Sequence, residues 1–225
     1  NEEWCRHNGN SVADEQLLRE YYLKPYQVLV QEGKAEQIMA AYNRLNGEPC
    51  AGNKWLLTDV LRKDWGFDGT VVSDCNGVRD FYEGHKYVAD VEKAIALALN
   101  SGMDLECGDC FKDNLANVVK KGLVSEAVID SAVFRIMVSR FRLGLLDPED
   151  LVPFTKIPMS VVDGPVHREL ARQASRESIV LLRNSGNLLP LDKNRIKSIA
   201  VIGPGAKVCQ LGGYSGGCSK AVSPF

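Results

Sequence analysis

"TVVSDCNGVRDF", residues 70–81, is the stretch on which the reading of this chain turns. Val71 and Val72 are β-branched and favour an extended strand, which delivers Ser73, Asp74 and Cys75 into a turn containing Gly77. A short acidic side chain at the end of a strand has two physical uses. Asp74 can cap the helix that follows, accepting from its free N–H groups. It can instead stand as a reactive carboxylate at the mouth of an α/β barrel, where such folds gather their chemistry.

Outward from that strand the apolar spacing alternates between two periods. "DEQLLREYYLKPYQVLVQEG" (14–33) predicts a helix with Leu18, Tyr22, Tyr26 and Leu29 on one face, kinked or split at Pro25 and stopped at Gly33. "QIMAAYN" (37–43) reads as a short buried strand, and "NKWLLTDVLRKDWG" (53–66) as a helix capped by Asn53 and ended by Gly66. After the strand in "DGTVVSD" come a helix in "DVEKAIALALNSG" (90–102), a third short strand in "MDLEC" (103–107) and a helix in "FKDNLANVVKKG" (111–122). A longer helix follows in "SEAVIDSAVFRIMVSRFRLGL" (125–145), capped by Ser125, with Val128, Ala132, Val133, Ile136 and Met137 as its inner stripe. Brief apolar strands alternating with helices predict a parallel sheet with helical crossovers. Three strands are too few to close a barrel; they would form its last portion.

The texture changes after residue 146. Pro148, Pro153, Pro158 and Pro165 make residues 147–165 a linker. "HRELARQASRES" (167–178) then predicts a helix, and "IVLLRN" (179–184) and "IKSIAVIGP" (196–204) predict strands. The expected organisation is residues 1–146, the linker, and residues 166–225 as the opening of a second, truncated domain. Residue 1 is Asn, and the chain closes on the loop-like "GGYSGGCSKAVSPF" (212–225), so it reads as cut at both ends. Secreted and periplasmic settings both stay open.

The 225 residues are 45% apolar, with 27 basic and 29 acidic side chains, which suits a globular chain with a real core. A net charge of −2 gives no reason to expect nucleic acid or an anionic membrane as partner. No apolar run approaches the roughly 20 residues that span a bilayer. The seven cysteines are too few and too uneven for a disulfide scaffold. Cys107 and Cys110 form a lone C-x-x-C, weak as a zinc site without a second pair, so no metal or cofactor is expected.

Three stretches resemble glycoside hydrolase family 3, the β-glucosidase and β-xylosidase family: "IMAAYNRLNGEPCAGNKWLLTDVLRKDWGFDGTVVSD", "ALNSGMDLECGD" and "ARQASRESIVLLRNSGNLLPLDKNRIKSIAVIGPGA". They cover most of residues 36–206. The resemblance implies strands six to eight of a (β/α)8-like barrel, then the start of an α/β sandwich domain. It implies that Asp74 is the nucleophile of a retaining glycosidase, which needs two carboxyl groups roughly 5–5.5 Å apart. It places Tyr42 beside that carboxylate and Met39 as an apolar wall of the sugar site. No residue here matches the family's acid/base, neither Glu2, Glu3, Glu83 nor Glu106. Trp4, Cys5 and Arg6 precede His7, so the loop Asp–His dyad of one family branch is not expected; His7 reads as structural or solvent-facing, and His85 and His167 have no better case.

Many β-glucosidase members carry Trp directly after the nucleophile; here Cys75 stands there, in a context that looks like the xylosidase branch. Cys75 and Cys107 follow the ends of neighbouring strands, which lie about 4.8 Å apart, a spacing a disulfide can bridge. Such a bond would wall off the sugar's C5 and exclude a hydroxymethyl group. Two buried free thiols are the equal alternative, and Cys110 could compete for the bond. The implied partner is a small carbohydrate, a xylo-oligosaccharide or a β-glucoside.

Overall fold

The computed structural model describes residues 3–215 and 221–224, and the chain divides into two compact units at Pro148 and Glu149. Cys218 and Glu2 lie outside the described residues.

The first unit is built on a parallel pair, β1 (Gln37–Ala40) and β2 (Thr70–Ser73), with Met39 opposite Val72 and Ala40 opposite Ser73. Helices α1 (Lys24–Gln31), α2 (Val91–Asn100), α3 (Cys110–Lys120) and α4 (Glu126–Arg142) belong to the same unit. The crossover between the strands is the helical segment Trp55–Asp64, wound wide so that Trp65 N–H reaches Val60 O at 3.1 Å. Asn53 begins that segment by accepting from Leu56 N at 2.8 Å, and Gly66 leaves it with φ +70°. Val71, Val78, Phe81, Ile95 and Met103 are buried together in one apolar core.

Residues 103–107 differ from the expected third strand: they meet β2 only at Val72 and Leu105. Side chains have replaced the ladder on either side of that bridge. The Asp104 carboxylate accepts from Val71 N at 2.8 Å, and Ser73 Oγ accepts from Cys107 N at 3.0 Å. The backbone groups that would extend the pairing are already satisfied.

The first helix is split as Pro25 requires, with Pro25 in the opening turn of α1. Its expected stripe is mostly outside: only Leu18 is buried, whereas Tyr22, Tyr26 and Leu29 are exposed, and Val30, next to Leu29, is buried in their place. Tyr22 and Tyr26 line an open apolar cavity of about 440 Å³ with Leu18, Met39 and Leu45. In α4, Ala132 is buried but Val133 is exposed, and Ser125 sits at the cap position without a capping hydrogen bond. That helix docks through its apolar stripe, with Val128 packed against the core, and through polar groups as well. Arg135 binds Asp104 at 2.8 Å, Ser139 binds Glu36 at 3.0 Å, and Arg142 binds Glu36 at 2.8 Å.

A small sheet was not foreseen. Arg44–Leu45 pairs antiparallel with Glu48–Pro49 and parallel with Asn10–Ser11. Asn46 and Gly47 turn the hairpin with φ of 51° and 94°, the left-handed pair that makes Asn-Gly a hairpin signal.

In the second unit, short turns at Glu149–Leu151, Pro153–Lys156 and Met159–Val161 precede helix α5 (Pro165–Ser178). The two runs expected as strands, 179–184 and 196–204, form none. Strands need ladder partners, and here neither run has one; Leu182 is 92% and Ile202 89% exposed.

Candidate active site

Asp74 leaves the end of β2 as the ladder closes. Its N–H donates to Ala40 O at 3.2 Å, and its Oδ1 accepts from Cys75 N at 2.7 Å. The chain then turns through Asn76 at φ 63° into the helical turn Gly77–Asp80. That turn takes no side-chain cap. The Asp74 carboxylate is thus bonded to the neighbouring amide and does not cap the next helix. It is half-buried, open on one side.

Met39, Val72 and Leu105 stand side by side in register on one face of the sheet. That face is open: Met39 is 59% and Leu105 40% exposed. Asp74, two residues beyond Val72, continues it.

Tyr42, two residues past β1, donates its hydroxyl to Cys75 O at 2.7 Å. Its phenol pKa is raised, first by burial and then by a hydrogen bond and the negative charge of Asp74, with Arg6 opposing. The ring lies 4.5 Å from the His7 imidazole and 5.4 Å from the Arg6 guanidinium. Cys75 and Cys107 are joined in a disulfide, their Cα atoms 4.4 Å apart, so the bond lies directly after Asp74. Cys110 is a buried thiol outside that bond, its pKa pushed up to about 11 by burial and by Glu106.

The remaining acidic residues have other work. Glu106 Oε2 accepts from Phe111 N at 2.6 Å in the first turn of α3, Glu3 is paired with Arg6, and Glu83 is exposed. His85 is buried, and burial, with Arg44 and His7 nearby, lowers its pKa to about 4. His167 lies exposed on α5. His7 is more engaged than expected: its Nδ1 is 2.7 Å from Asp80 Oδ2. No local pattern announces that pair; the one local signal nearby is the Asn46-Gly47 dipeptide of the hairpin whose first strand pairs with Asn10–Ser11. Among the described residues no cluster of three or more His, Cys, Asp or Glu is arranged to hold a metal. No helix among them is long and apolar enough to cross a membrane.

Comparison with known proteins places this geometry. Residues 6–138 match the glycosyl hydrolase family 3 N terminal domain and residues 179–225 its C-terminal domain. A xylan 1,4-beta-xylosidase of Xylanibacter ruminicola is 40% identical over 98% of this chain and 26% of its own length. A probable beta-D-xylosidase 7 of Arabidopsis thaliana is 40% identical over 96% of this chain and 28% of its own. The chain thus spans about a quarter of the length of these relatives. Among solved structures, a GH3 exo-beta-xylosidase bound to a xylobiose aziridine probe superposes with TM-score 0.83 at 34% identity, covering 90% of this chain and 26% of that one. A β-glucosidase from Erythrobacter marinus follows with TM-score 0.82 at 33% identity, covering 92% and 27%. With both family domains matched in order and a strand-end carboxylate in the first, this chain belongs to glycosyl hydrolase family 3.

Proposed function

We propose that this chain supplies the nucleophile half of a retaining exo-glycosidase that hydrolyses β-linked xylosides, with Asp74 attacking the sugar. On this reading β1, β2 and residues 103–107 are the sixth, seventh and eighth strands of a (β/α)8-like barrel, residues 147–165 are a linker, and residues 166–225 open an α/β sandwich domain. The observation that carries the reading is the Asp74 carboxylate, held by the Cys75 amide at 2.7 Å on an open sheet face and not spent on a cap.

The chemistry follows from that placement. One carboxylate oxygen is oriented by the Cys75 backbone N–H. Attack on the anomeric carbon forms an ester between Asp74 and the sugar while an acid protonates the departing oxygen; water then attacks from the face the leaving group vacated, opposite the ester, so two inversions retain the configuration. On this reading none of the described residues supplies that acid. Tyr42, tied to Cys75 O, steadies the nucleophile's turn, and Met39 supplies an apolar wall. The Cys75–Cys107 disulfide crowds the space beside C5, which admits a pentose and rejects a hydroxymethyl group. No cofactor enters the reaction.

Two other readings have support. A β-glucosidase is favoured by the near-equal superposition on the Erythrobacter marinus enzyme; a non-catalytic carbohydrate-binding module would use the same open face without turnover. One experiment separates the three. The whole polypeptide containing this chain is treated with 2-fluoro-xylosyl and 2-fluoro-glucosyl fluorides and digested, and the peptide spanning residues 70–81 is weighed. A xylosyl adduct on Asp74 is expected. A predominantly glucosyl adduct selects the glucosidase, and binding with no adduct selects the module.

A further inference from the structure

Resting on that reading, we propose that His7 is a positioning residue: clamped by Asp80, its imidazole braces Tyr42 against the turn that carries Asp74. The two clamped side chains come from segments 73 residues apart. Asp80 closes the helical turn Gly77–Asp80 just after Asp74, and its carboxylate is only 13% exposed. Burial raises the Asp80 pKa, and the His7 hydrogen bond acts in the opposite sense.

The imidazole is held at both nitrogens. Arg6 Nε donates to His7 Nε2 at 3.2 Å, so Nε2 is the bare nitrogen and Nδ1 carries the proton given to Asp80 at 2.7 Å. That hydrogen-bond pattern selects one neutral tautomer and one ring orientation. The same ring then packs at 4.5 Å and 58° against Tyr42, whose hydroxyl is bonded to Cys75 O at 2.7 Å.

Two backbone features bring the parts together. Asn10–Ser11 pairs with Arg44–Leu45, which fixes the His7 segment beside the chain that leaves Tyr42. On the other side, a Cβ at Gly84 would lie 2.1 Å from His7 O, so only glycine lets the turn after Asp80 approach. Tyr42 cannot swing off the Cys75 carbonyl without displacing an imidazole that Asp80 and Arg6 both hold. A merely packed ring would need neither hydrogen bond.

The test is a double-mutant cycle in the whole polypeptide, read as kcat and KM on nitrophenyl β-xyloside and normalised to sites trapped by the fluorosugar. His7→Ala is expected to lower kcat by roughly 10- to 100-fold, the scale of a misplaced catalytic group, with KM within about threefold. In a Tyr42→Phe background the same change is expected to cost no more than about twofold, because the brace acts through the phenol. His7→Asn, which keeps an N–H for Asp80, is expected to recover most of the loss. Equal losses in both backgrounds, or an unaltered kcat in His7→Ala, would overturn the proposal. Asp74→Asn serves as the control: residual full activity there sinks the nucleophile reading itself, whereas an inactive Asp74→Asn with an additive cycle sinks only the brace.

Discussion

A carboxylate on the first residue after a buried strand has little freedom, and that is what suits Asp74 to the proposed role. Its own N–H is bonded to β1 and its Oδ1 to the next amide, so its position is set before any sugar arrives. Asp74→Asn keeps that shape and removes the proposed nucleophile; kcat on the whole polypeptide is expected to fall by at least ~10³-fold, in keeping with losses from covalent nucleophiles. Cys75→Ala removes the disulfide wall. The xyloside-to-glucoside ratio of kcat/KM is then expected to fall by roughly 10-fold or more, the discrimination a pocket achieves through one small group; an unmoved ratio would mean the wall does not select. His85 sets a pH dependence. Its folded pKa, about 4, lies below the ordinary 6.5 because burial disfavours the cation. The unfolded ring takes up a proton as pH falls through 6.5 while the folded one does not, so the stability present at neutral pH is progressively lost between pH 6.5 and 4. Thermal melts of His85→Leu are expected to change less than wild type between pH 7 and 4.5.

Residues 103–107 illustrate how a polar side chain can end a strand. Asp104 is fully enclosed, yet it receives Val71 N, Arg62 at 2.6 Å and Arg135 at 2.8 Å. Arg62 also donates to Gly69 O at 3.2 Å and Gly102 O at 2.9 Å. One carboxylate therefore ties the Trp55–Asp64 helix, the start of β2 and α4 to one another. Removing it leaves two guanidinium groups and a buried amide uncompensated. Asp104→Ala is expected to cost about 3–5 kcal/mol, measured by chemical denaturation, and a loss under about 1 kcal/mol would show the network to be solvent-screened. The spacing of Arg135, Ser139 and Arg142 explains why the polar share of the docking of α4 escaped the apolar pattern: three polar residues on one helical face look like a solvated surface until their partners Asp104 and Glu36 are located.

The first unit presents an open apolar flank, with Met39, Leu105, Tyr22 and Tyr26 all uncovered, beside a β1 strand that is hydrogen-bonded to β2 and to no other strand among the described residues. Unpaired edges and apolar faces of this kind promote association. Residues 1–225 purified alone are expected to self-associate and to release no nitrophenol from xyloside or glucoside, since on the proposed reading a single carboxylate supports neither half of a double displacement. Light scattering and a turnover assay check this, and measurable hydrolysis would overturn it.

Local pattern was enough for the helices around Asn53, Asp90 and Glu126, for the split at Pro25 and for the β1 and β2 segments, because spacing, caps and ring constraints act over a few residues. It was enough, too, to mark Asp74 as a strand-end carboxylate with two competing uses. That Asp74 does not cap the next helix could be seen only from the neighbouring amide and the uncapped turn. The same holds for the shortened 103–107 pairing, the exposed Tyr22 and Leu29, the unpaired 179–184 and 196–204 runs, and the His7–Asp80 clamp. Each depends on which distant group occupies a hydrogen-bonding site or covers a face, and a period along the chain carries no information about partners tens of residues away.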